Sequence, residues 1–150
     1  MVPQGAPVLD LACGGGRHTR LFAEAGHPVT AVDIDLGNLG DLAGHPRVEP
    51  IQADLEGGDP FFLRGPLPGR TFGGVVVTNY LHRPLLEDLV AAVAPGGVLI
   101  YETFAEGNET LGGRVTNPEP PFSGSAPSPS RPRPGKNGAY ARDFYLTSVS

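Results

Sequence analysis

A short apolar run, Val8-Leu9-Asp10-Leu11, enters a glycine cluster, Gly14-Gly15-Gly16, and a segment with helical spacing leaves it at Arg17. Strand, glycine turn and helix in that order restrict this chain more than any other feature. Glycine is needed where a turn is tight and where the backbone must approach a ligand without intervening Cβ atoms. Nineteen residues beyond Gly14, Asp33 closes a second β-rich run, Val29-Thr30-Ala31-Val32. A carboxylate at that point can accept hydrogen bonds from both hydroxyls of a ribose. The loop and the spaced acid together point to a nucleotide-type ligand.

The alternation continues downstream. Val48 to Ala53 is a weaker third strand, and Gly74-Val75-Val76-Val77-Thr78 is a β-branched run suited to burial on both faces. Leu21, Phe22 and Ala25 mark one side of a helix from about Arg17 to Ala25, which Gly26 stops. Pro84 starts a second helix that Leu85, Leu86, Leu89, Val90 and Val93 continue; Pro95-Gly96-Gly97 ends it before a fifth strand, Val98 to Tyr101. Strand, helix and strand in repetition predict an α/β fold with an open, doubly wound, mostly parallel sheet. Residues 39–46 and 56–70 are too rich in Gly and Pro for long helices. Those crossovers are expected to be loops or single turns.

Small residues stand at every second position after an acid: Asp10, Ala12, Gly14, Gly16. This pattern resembles the cofactor loop of the Rossmann-like S-adenosylmethionine-dependent methyltransferases, acid-x-Gly-x-Gly-x-Gly. Four further stretches are similar to that family in the same order: Ala31-Val32-Asp33-Ile34-Asp35, Gln52-Ala53-Asp54-Leu55, Phe72 to Val77, and Ala94-Pro95-Gly96-Gly97-Val98-Leu99. The resemblance implies S-adenosylmethionine as cofactor and methyl transfer to a small-molecule acceptor. It further implies that Asp33 holds the ribose and Asp54 the adenine amine. Ile34 and Leu55, each beside an acid, are the natural apolar walls for the adenine. Asp10 can attract the cofactor's ammonium, and the loop residues Ala12, Cys13, Gly14 and Gly16 border its carboxylate. Asn79 and Leu81, after strand four, border the cofactor too. Two positions depart from the family pattern. Ala12 stands where glycine is commoner, and Gly73 replaces a frequent acid. A nucleotide-dependent oxidoreductase uses a related loop, but its G-x-G-x-x-G order needs a third glycine where this chain has Thr19. A catalytically inert cofactor-binding module is the other alternative.

Methyl transfer is an in-line displacement that needs placement and at most one base, so no universal catalytic residue carries over. His82 is a candidate base and equally a residue that opens the Pro84 helix. His18, His27 and His45 stand singly, without ligand spacing, and predict no metal site. Val75 to His82 and Tyr101 to Ala105 look most like the tellurite-resistance-type branch of the family.

Composition bounds the rest. Residues before 112 carry 6 basic against 14 acidic groups, and those after carry 5 against 2. An acidic body argues against nucleic-acid binding by bulk charge. No apolar run suits a bilayer and the one cysteine, Cys13, excludes an internal disulfide, so the chain reads as cytoplasmic. Three parts are expected: a cofactor-binding core over 1–111, a Pro/Gly/Ser-rich disordered segment over 112–139, and a stub over 140–150. Residues 112–139 hold 5 Gly and 7 Pro without apolar periodicity, which cannot offset ordering entropy by burial. Their composition resembles an altered reading frame in a gene rich in G and C, and no helix precedes Val8. The chain is therefore expected to be an incomplete or frameshifted product that lacks the family's last two edge strands. Ala139 to Val149 is expected to form at most one short strand, leaving the edge of strand five open to self-association.

Overall fold

A computed structural model describes residues 1–57, 67–104 and 142–148. The segment expected to be disordered, 112–139, lies outside the described residues. The elements in order are β1 (Val8–Leu11), α1 (Arg17–Glu24), β2 (Val29–Asp33), a 3₁₀ segment (Leu36–Gly44), β3 (Val48–Gln52) and β4 (Phe72–Thr78). A 3₁₀ turn (Arg83–Leu85), α2 (Leu86–Ala91), β5 (Val93–Phe104) and β6 (Arg142–Ser148) complete them. The sheet runs β3-β2-β1-β4-β5-β6. Its first five strands are parallel, as expected of an open doubly wound sheet.

β1 lies at the centre, and chain order reverses between it and β4. That switch point opens a crevice outside the carboxyl ends of the two strands, the usual ligand position in such sheets. Alternation along β1 sends successive side chains to opposite faces. Leu9 and Leu11 join Val75, Val77, Leu99 and Tyr101 in a core that α2 covers with Leu86 and Leu89. Val8, with Val29 and Val76, meets Ala23 of α1 on the other face. Gly40, with φ 55° and ψ −124°, kinks the 3₁₀ segment. The crossover over 39–46 therefore forms no long helix.

Three expectations change. The buried face of α1 is Thr19 and Ala23, while Leu21 is 61% exposed. The Gly16 turn sets this phase by starting the helix at Arg17. Helix α2 ends at Ala91, and Pro95-Gly96-Gly97 lies within β5, where Phe72 pairs with Val93 but Gly74 with Val98. The glycine pair thus makes an irregularity in a strand, with Gly96 at φ +78°. Lastly, the edge of β5 is not open. β6, the short strand expected within 139–149, pairs with it antiparallel from Val98↔Ser148 to Phe104↔Arg142. The absence of an acid at Gly73 also has a local cause: a Cβ there would overlap that of Ala6.

Candidate functional site

The crevice at the switch point is a cleft of about 440 Å³ lined by residues 12–18, Arg20 and residues 78–80. The glycine loop supplies one wall and the end of β4 the other. Gly14 has φ +53° and a Cβ added there would meet nothing within 4 Å, so its glycine serves the turn and leaves the cleft clear. Gly16, at φ +75°, is different: a Cβ would come within 2.6 Å of Leu42 and 2.8 Å of Leu39. It lets the 3₁₀ segment pack against the start of α1.

Asp33 reaches back to this loop. Its Oδ2 accepts from the Gly14 amide at 2.9 Å and its Oδ1 from the Asp35 amide at 3.1 Å. An ionised carboxylate has about four acceptor positions, which leaves it capacity for further donors such as ribose hydroxyls. Ile34, next in sequence, is 62% exposed, an unusual position for a large apolar side chain and a suitable wall for a flat aromatic ligand. Asp54 is exposed beyond β3, where its carboxylate accepts from the Glu56 amide at 2.9 Å.

Among the expected site residues, Ala12, Cys13, Gly14, Gly16 and Asn79 line the cleft. Three do not. Leu55 packs into the core beneath the sheet end, and Leu81 lies partly buried against the same core. Asp10 is 1% exposed and sits behind the loop, where it accepts from the Thr19 hydroxyl at 2.6 Å. Burial pushes its carboxyl above the ordinary carboxylate value, against the pull of the Thr19 hydrogen bonds and of His18. A direct contact between Asp10 and a ligand ammonium does not fit that position. His82 caps the 3₁₀ turn before α2 without a side-chain cap bond and is not among the cleft residues, which favours its role as the residue that opens the helix. No cluster of metal-ligating side chains occurs among the described residues.

Sequence reasoning missed two contacts. Thr19 is a partner of Asp10, a pairing whose only signal was a hydroxyl in the first turn of α1. Tyr80 donates to Glu56 Oε1 at 3.2 Å, joining the segments that follow β3 and β4. Burial first, and then Glu56, raise the Tyr80 phenol well above its ordinary value.

Among the described residues, Ala12 and Asn79 are the non-glycine residues with positive φ, 54° and 56°, and both line the cleft. Strained backbone gathers at ligand sites. A left-handed alanine costs about 1–2 kcal/mol, partly offset by the larger unfolded-state entropy of glycine. Ala12→Gly is therefore expected to stabilise the protein by about 1 kcal/mol, read as a melting temperature higher by about 3 °C. Cys13 gives a second check. Burial first, then Asp10 and Asp33, push its thiol up to about 12. Since the thiolate is the nucleophile, iodoacetamide at pH 8 is expected to alkylate Cys13 at least roughly tenfold more slowly than it does free glutathione.

Residues 8–97 match the family model described as a methyltransferase domain. The chain is 32% identical over 110 residues to malonyl-[acyl-carrier protein] O-methyltransferase of Salmonella typhimurium, covering 70% of this chain and 41% of that protein. It is 32% identical to trans-aconitate 2-methyltransferase of Rhizobium meliloti, covering 67% and 39%. Among solved structures, glycopeptide N-methyltransferase MtfA complexed with S-adenosyl-L-methionine superposes with a TM-score of 0.52 at 28% identity, covering 70% of this chain and 50% of that one. A TehB-like methyltransferase from Corynebacterium glutamicum, TM-score 0.55, covers 69% and 58% but at 22% identity, which shows the fold alone. The chain spans about two fifths of the length of these curated relatives.

Proposed function

We propose that this chain, which belongs to the methyltransferase domain family, binds S-adenosylmethionine in the crevice between β1 and β4 and serves methyl transfer to a small molecule. The observation that carries the reading is the Gly14–Asp33 contact at 2.9 Å. It brings a glycine loop and a carboxylate with spare acceptor capacity together at the switch point of the sheet. The residues fit the group: Gly14 leaves its Cβ position open, Asp33 can accept from a diol, and Ile34 offers an exposed apolar face. Asp33 would hold the ribose, Ile34 one face of the adenine, and Asp54 the adenine amine. The loop backbone over 14–16, ahead of α1, would hold the ligand's carboxylate.

Bound there, the cofactor supplies a methyl group already activated by its sulfonium. What remains for the protein is placement. A rigid loop and the Thr78–Tyr80 wall set the direction from which an acceptor approaches, and orientation of this kind can supply much of the rate. Asn79, held by its amide to the Glu102 carbonyl at 2.9 Å, presents an amide side chain at that wall. His82 is given no catalytic part. No helix among the described residues is long and apolar enough to cross a membrane.

The names of these similar proteins include both O- and N-methyltransferases, so the test uses small carboxylic acids and small amines. The purified chain is supplied with S-adenosylmethionine and each acceptor, and S-adenosylhomocysteine release is followed. Release that depends on one acceptor supports the proposal. Cofactor binding with no release on any acceptor points instead to an inert cofactor-binding module.

A further inference from the structure

The first turn of α1 is tied down in an unusual way. Its N-cap residue is Gly16, which has no side chain to offer. The side-chain tie to this first turn comes instead from β1. Asp10 accepts the Thr19 hydroxyl at 2.6 Å. Asp10 is 1% exposed and Thr19 0%, so water cannot substitute for that bond. The contact closes a ring that begins at Asp10, runs through the loop and returns at Thr19. Inside that ring Ala12, Gly14 and Gly16 are all left-handed, and Gly14 makes the bond to Asp33. A loop with three such residues is held in shape by its closure.

We infer that Thr19 is a positioning residue for the cofactor: through buried Asp10 its hydroxyl fixes the glycine loop in the form that binds S-adenosylmethionine, although Thr19 itself does not line the cleft. This rests on the reading given under the proposed function. The physical reason is that a buried carboxylate stripped of one hydrogen bond must rearrange to recover it. The nearest rearrangement is of the loop. The same pairing accounts for the missing third glycine of a dinucleotide loop, since a glycine at residue 19 would have no hydroxyl to give.

Two substitutions separate positioning from space filling. Thr19→Val keeps the volume and the β-branch but loses the hydroxyl, whereas Thr19→Ser keeps the hydroxyl and loses a methyl group. A residue that only packs tolerates valine better than serine. A residue that positions Asp10 does the reverse. Affinity for S-adenosylhomocysteine, measured by calorimetry on the full chain, is expected to fall at least tenfold in Thr19→Val and to stay within threefold of wild type in Thr19→Ser. Valine within threefold of wild type, or serine weaker than valine, overturns the inference. Should Thr19→Val fail to fold, the Asp10→Asn/Thr19→Val double variant removes the stranded charge, and binding within threefold of wild type in that protein overturns the inference equally. Failure of the wild-type chain to bind either adenosyl compound is a different result: it removes the proposed function, and this inference with it.

Discussion

Asp33→Ala is expected to weaken S-adenosylmethionine binding at least tenfold while the sheet stays folded. The side chain stands at the carboxyl end of β2, outside the packed core, so its removal leaves no cavity among apolar groups. Hydrogen bonds to a charged partner are worth roughly 1.5–3 kcal/mol each. Loss of even one ribose bond thus corresponds to a tenfold change or more. The structure adds a second contribution: the carboxylate also accepts the Gly14 amide at 2.9 Å, and the variant frees that amide and loosens the loop. Asp33→Asn should fall between wild type and alanine, since an amide oxygen can accept one of these bonds without the charge. An unchanged dissociation constant in Asp33→Ala would remove the ribose assignment.

Gly14→Val and Gly16→Val are expected to fail in opposite ways. At Gly16 a side chain would run into Leu39 and Leu42, at 2.8 and 2.6 Å, from a backbone at φ +75°. Overpacking and a left-handed β-branched residue together cost roughly 3 kcal/mol or more. That is a large part of the stability of a small domain, and melting should drop by about 10 °C. At Gly14 the same side chain enters open space. It costs about 2 kcal/mol for the backbone alone and projects into the cleft. That variant should fold, as circular dichroism can check, and bind no adenosyl ligand. If Gly16→Val melts like the wild type, the close packing of the 3₁₀ segment on the loop is wrong. If Gly14→Val binds normally, the loop is only a turn.

The contrast between these glycines also marks what a sequence can disclose. The strand, the glycine cluster and Asp33 were legible because each follows from a local rule: β-branched or apolar runs, positive φ and the distance to the end of the next strand. The parallel order of five strands follows from alternation in the same way. Which glycine serves the ligand and which serves packing was not legible, because Leu39 and Leu42 come from a segment more than twenty residues away. The Asp10–Thr19 contact was hidden for a similar reason. Asp10 reads as a loop acid by position, but it lies within β1, where strand alternation turns it onto the α1 face. Leu55 misled because it adjoins Asp54 in sequence, yet the end of β3 turns one side chain out and the next into the core. The final strand could be read as a strand from its pattern. Its pairing with β5 could not, since the stretch between them carries no register signal.

The most direct test of the central claim is a calorimetric titration of the purified chain with S-adenosylmethionine, S-adenosylhomocysteine and a reduced nicotinamide dinucleotide, each separately. The account predicts saturable binding of both adenosyl compounds at one site per chain and no heat from the nicotinamide. Binding of the nicotinamide with no response to either adenosyl compound would contradict it.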